Sequence, residues 1–131
     1  PFLQAARDQL QVPIARMQYN SETTAAKTAS PYVADLSDRL TALRDLILPK
    51  YHIGQVKQAW AINLANSILA GFAQQVNRLR NAESIRSSAR FSADVAETEF
   101  ATSQLLASIR GQDALELKDC PAYGAFQDLR R

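Results

Sequence analysis

The chain has a single cysteine, Cys120, and a single histidine, His52. One cysteine excludes an internal disulfide and leaves the redox compartment open. One histidine deprives a histidine-based metal centre or a serine–histidine relay of its partners, so His52 reads as a polar residue at a helix start. Cys120-Pro121 reads in the same way, as a half-buried thiol beside a turn. Other signatures are missing as well. There is no glycine-rich phosphate cradle, no paired Cys/His zinc spacing, no nucleophile elbow and no Glu-x-x-His pair for a di-iron bundle. The expectation is a protein that is not an enzyme, with no metal and no cofactor. No internal repeat and no low-complexity tract is present. Long hydrophobic runs are also lacking. The most apolar window, Ala59–Ala73, is short and interrupted by Asn63, Asn66 and Ser67, which excludes a transmembrane span. No signal segment is visible, and the chain reads as soluble with its location undetermined.

Glycine and proline are scarce, at 4 and 5 among 131 residues, and alanine is abundant. Runs of β-branched residues are absent. These features point to an all-α fold in one domain, 1–131, long enough to bury a core without staples.

A long stretch free of proline runs from Gln55 to Leu117. As one helix it would extend roughly 95 Å, far beyond a globular element. In its first half Ile62, Ala65, Leu69, Phe72, Val76 and Leu79 recur at steps of three and four, beside a second row of Val56, Trp60, Leu64 and Ile68. In its second half Phe91, Val95, Thr98, Thr102, Leu105 and Ile109 do the same, out of phase with the first. Residues 81–90 between them are rich in cap and turn formers, with Ser84, Ser87 and Ser88 each able to start a helix. The expectation is a helical bundle built round a long helical hairpin (about 55–117), turning between Asn81 and Ser92.

Before it, Phe2–Tyr19 is helix-like, but Pro13 predicts two short pieces or an extended arm. Residues 20–30 read as an exposed connection. Ser30-Pro31 opens an amphipathic helix through Val33, Leu36, Leu40, Leu43 and Ile47, which stops before Pro49. After 117, Pro121 and Gly124 predict an irregular C-terminal tail, whose Tyr123, Phe126 and Leu129 are free to close the core or to dock on another subunit.

Charge is divided along the chain. Residues 50–90 carry Lys50, Lys57, Arg78, Arg80, Arg86 and Arg90 against Glu83 alone, and residues 91–119 are predominantly acidic. Antiparallel pairing of the two halves would neutralise them at little energetic gain. A sharper reading makes Lys57, Arg78, Arg80, Arg86 and Arg90 a binding surface for a partner or for nucleic-acid phosphates, contacted through the backbone without reading sequence. Asn63 and Asn66 beside Trp60 offer a polar wall for a small-molecule pocket, or hydrogen bonds that fix helix register. Asp94 and Glu97, three apart, share a face. Together these features favour a structural or interaction protein, a coat- or filament-like helical subunit that self-associates or packs into a larger assembly. The alternative is a four-helix ligand-binding or sensor domain with its pocket near Trp60.

Overall fold

The computed structural model describes residues 2–20, 26–47, 54–108 and 115–130. Within them the fold is all-α, with no strand. Six helices follow in order: α1 (Phe2–Ala15), α2 (Pro31–Ile47), α3 (Gly54–Asn77), α4 (Ala82–Arg86), α5 (Ala89–Ala107) and α6 (Tyr123–Asp128), with a 3-10 turn at Leu117–Asp119 before α6.

Pro13 does not split α1, contrary to the sequence expectation. A proline cannot donate to the carbonyl four residues back, here that of Gln9. Arg39 of α2 fills the gap, its Nη1 donating to the Gln9 carbonyl at 3.2 Å. Because Pro13 lies in the last turn, little helix remains beyond it to be disturbed. Helix α2 begins at Pro31 as the cap pattern predicts, with the Ser30 carbonyl accepting from Val33 and Ala34.

The 55–117 stretch is not a simple pair of long arms. Helix α3 stops at Asn77, and Asn81 takes a left-handed conformation, φ 58° and ψ 38°. Asparagine tolerates that region better than most residues, and the chain can reverse there. Helix α4 intervenes before Ser88 caps α5 by accepting from the Phe91 N–H at 3.2 Å. Helix α5 ends at Ala107, and Leu117 belongs to the 3-10 turn. The tail is not irregular either: residues 123–128 form α6, and its Phe126 and Leu129 side are buried in the chain's own core. The expectations for His52, Lys50 and Ile109 lie outside the described residues.

Helix α1 packs on α2 and on α3, and α5 packs on α2 and on α3, closing a ring of four. Contacts Arg7–Asn63 and Gln11–Ser67 keep one constant separation, so α1 and α3 run parallel. Contacts Arg39–Gln9 and Arg16–Asp35 show that α1 and α2 run antiparallel. Helices α2 and α5 run parallel: Ser30 meets Asp94 near their starts, and residues 37–44 and 97–105 line one cleft further along. Parallel neighbours are unusual in a bundle with short connections, where adjacent helices are normally antiparallel.

The buried side chains form one cluster, with Leu10, Ile14, Val33, Leu36, Leu64, Ile68, Leu69, Val76, Val95 and Leu106 essentially inaccessible. At one end of the ring the cluster turns aromatic. The ring of Phe72 lies 5.4 Å from Phe126, 6.2 Å from Phe91 and 6.4 Å from Tyr32, centroid to centroid. Small Ala61 and Ala65 let α3 come close to its neighbours. Its Gly71 has a specific neighbour: a Cβ there would run into the Gln11 side-chain oxygen. Gln11 is held there by donating to the carbonyl and the hydroxyl of Ser67, at 2.9 and 3.1 Å.

Candidate functional site

The main polar feature in the interior is Asp94, fully buried near the start of α5. One carboxylate oxygen accepts from the Ser30 N–H at 2.5 Å. The other accepts from the Ser30 hydroxyl at 2.6 Å and from the Tyr19 hydroxyl at 2.5 Å. The Tyr19 proton being committed to Asp94, Tyr32 is the donor in the 2.6 Å contact between the two phenols. Burial, reinforced by the hydrogen bond to Asp94, pushes the Tyr19 phenol well above its usual range. Burial, reinforced by Tyr19 and Asp94, does the same to Tyr32. Both phenols are therefore fixed as donors at neutral pH. A buried carboxylate whose oxygens already accept from three donors is committed to the chain's own groups, and this set works as a fastening. It ties the 26–30 connection and the start of α2 to α5.

Arg90 completes that fastening. Its Nη1 donates to the carbonyls of Thr28 at 2.8 Å and Ala29 at 3.0 Å. Arg86 serves the other side of the same end of the bundle: Nε donates to the Leu129 carbonyl at 3.0 Å, and Nη2 donates to the Asp128 carbonyl. A cation at the last carbonyls of α6 also complements its dipole. Arg78 and Arg80 are exposed in the turn after α3. Lys57 falls in α3, its side chain outside the described residues. The structure thus brings Arg86 and Arg90 to one end of the bundle but turns each toward carbonyls of its own chain.

The amides of α3 hold helices together. Asn66 accepts from the Ala122 N–H at 2.7 Å, docking the segment before α6. Asn63 accepts from Arg7 at 3.4 Å, and Trp60 is half-buried. Asp94 and Glu97 do not act as a pair: Asp94 is inside and Glu97 outside, because three residues on a helix are ~60° short of a full turn. The Cys120 thiol is buried, and its pKa is raised by burial and by the nearby negative Asp119. It is poorly suited to nucleophilic work. Among the described residues no group of acidic, histidine and cysteine side chains is placed to hold a metal. Nor is any helix among them long and apolar enough to cross a membrane.

Two clefts remain. One, of about 360 Å³, lies beside the fastening and is lined by Arg16, Asp35, Tyr32 and Arg90 among others. Its charges are matched internally, Asp35 pairing with Arg39 at 2.9 Å and with Arg16 at 3.5 Å. The other, of about 240 Å³, runs between α2 and α5. Leu40, Ala101 and Leu105 line it together with Ser37, Thr41, Arg44, Glu97 and Gln104, and Phe100 stands at its edge. Phe100 is 58% exposed, an unusual state for a phenylalanine.

A scan against family models, a search of curated proteins and a search of solved structures each return no match. The geometry of the chain itself is therefore what bears on its role.

Sequence reasoning missed Tyr19, Tyr32 and Phe100, read Ser30 only as the start of α2, and set Asp94 on a face with Glu97 rather than in the interior. For Asp94 a signal existed: it sits three residues after Phe91 and one before Val95, inside the apolar row of α5. For Phe100 the signal was its position off that row.

Proposed function

We propose that the chain is a non-enzymatic helical subunit that works by packing against protein surface, with copies of itself or within a larger assembly. The observation that carries this reading is the exposed Phe100 beside an apolar-floored cleft between two long helices. An aromatic side chain left in water at the lip of a recess has the character of an interface anchor. Support also comes from what the polar groups do. Asp94, the two phenols, Asn66, Arg86 and Arg90 are all committed to contacts within the chain. That favours assembly over the small-molecule pocket near Trp60. A version in which segment 50–90 also covers nucleic-acid phosphates rests on the exposed Arg78 and Arg80, since Arg86 and Arg90 hold carbonyls of their own chain. Light scattering across protein concentration tests the reading. Growth of the mass beyond the 14.5 kDa of one chain is expected. A mass fixed at one chain at all concentrations, with Phe100→Ala indistinguishable from the parent in every pairwise binding experiment, refutes it.

A further inference from the structure

Resting on that reading, we propose that the α2/α5 face pairs with the same face of a second copy about a two-fold axis, Phe100 of each chain entering the cleft of the other. The face carries both an exposed aromatic ring, at Phe100, and a recess that could receive one. It is self-complementary in charge. Helices α2 and α5 run parallel through the cleft, so Glu97 lies toward the end nearer their starts and Arg44 toward the other. On the Ser30–Asp94 register Arg44 lies level with about position 108, so at ~1.5 Å per residue Glu97 and Arg44 of one chain stand roughly 16 Å apart along the helices, too far to pair with each other. A two-fold axis perpendicular to the helices near Phe100 exchanges the two ends. Each Glu97 then faces Arg44 of the second copy, and the reciprocal contact forms at the same time, as an isologous interface requires.

Arg44 is free to make this contact. Its neighbour Asp45, 3.4 Å away, is largely exposed, and such a pair holds a guanidinium only weakly. Glu97 is exposed to water. The two helices side by side offer a face roughly 25 Å long and 20 Å wide, a projected area of about 500 Å² that falls at the small, weakly associating end of protein interfaces. A second copy supplies knob, recess and both charges from one sequence, whereas an unrelated partner would need each matched separately.

Charge-swap pairing tests the proposal by sedimentation equilibrium on the full chain. Glu97→Arg alone and Arg44→Glu alone should each weaken dimerisation by roughly 100-fold, since like charges then meet twice per dimer. The double variant should recover dimerisation to within about tenfold of the parent, as should an equimolar mixture of the two single variants, there as a heterodimer. Phe100→Ala should weaken it by at least about tenfold. Glu97 and Phe100 are exposed and Arg44 partly so, and unchanged helical circular dichroism confirms folding. A parent that associates while the swaps fail to recover pairing overturns this interface and leaves the assembly reading standing. A parent that remains one chain throughout overturns the interface as well, and brings the assembly reading to its own test with Phe100→Ala.

Discussion

Removing the carboxylate of Asp94 measures how much the fastening holds. In Asp94→Ala three donors lose their acceptor: the Ser30 N–H, the Ser30 hydroxyl and the Tyr19 hydroxyl. Tyr19 retains Tyr32 as a partner, and a serine hydroxyl can rotate toward another acceptor, but the Ser30 N–H is left without one. A buried unsatisfied donor costs about 1–3 kcal/mol, and bonds to a charged acceptor contribute about 1.5–3 kcal/mol each. Relief of the buried charge offsets part of this. The expected loss is about 3 kcal/mol, a large fraction of the 5–15 kcal/mol typical of a domain. With a urea slope of roughly 2 kcal/mol/M, the unfolding midpoint falls by about 1.5 M. Asp94→Asn keeps an acceptor for the Ser30 N–H and offers its amide N–H groups to the two hydroxyls, so it should lose only about 1 kcal/mol. Tyr19→Phe combined with Asp94→Asn should show coupling of about 0.5–1 kcal/mol. If Asp94→Ala shifts the midpoint by less than ~0.3 M, the carboxylate does not fasten α2 to α5 and the account of this end of the bundle fails.

Three further outcomes follow from particular contacts. Alkali should destabilise the fold: both phenols are raised when folded, so the unfolded chain loses those protons first and stability falls as pH rises above about 10. Urea midpoints across that range should fall less steeply in Tyr32→Phe. Gly71→Ala should be close to neutral, because about 1 kcal/mol of helix propensity is set against displacement of the Gln11 amide from Ser67. In a Gln11→Ala background the same change should stabilise by about 1 kcal/mol, and thermal melts of the four proteins separate the two terms. Arg39→Ala should cost about 1–2 kcal/mol by freeing the Gln9 carbonyl, and less when Pro13→Ala supplies the missing backbone donor. Equal costs in both backgrounds would show that Arg39 does not compensate for the proline.

Elements governed by short-range periodicity were legible in the sequence. Helix α2 was, from its Ser-Pro start and its steps of three and four, and so were the buried faces of α3 and α5. Failures occurred where a distant residue decides the outcome. Pro13 should break α1 on local grounds, yet a guanidinium thirty positions away in sequence takes the stranded carbonyl. Pro121 and Gly124 should leave the tail irregular. There Phe126 buries against Phe72, and Asn66 and Arg86 hold backbone groups on either side of α6. The arginines illustrate the same limit. A count of charges places Arg86 and Arg90 among the free cations, but only the fold reveals that carbonyls of 28, 29, 128 and 129 occupy them. Phe100 stood out only by lying off the apolar row of α5, and what such an aromatic does is unreadable until its neighbours across the groove are known.

The parallel pairing of α1 with α3 has a kinetic side. Arg7 and Gln11 meet partners fifty-six residues further along, and Tyr19 and Ser30 meet Asp94 across still longer loops. A bundle whose adjacent helices follow one another in sequence closes mostly short loops and folds in microseconds to milliseconds. Here α1 has α2 as its only early neighbour. It must wait for α3, and the aromatic end can close only after α5 and α6 have been made. For so helical a chain the search is unusually non-local, and refolding should be slow, with α1 and α2 exposing half-built apolar faces until the ring closes.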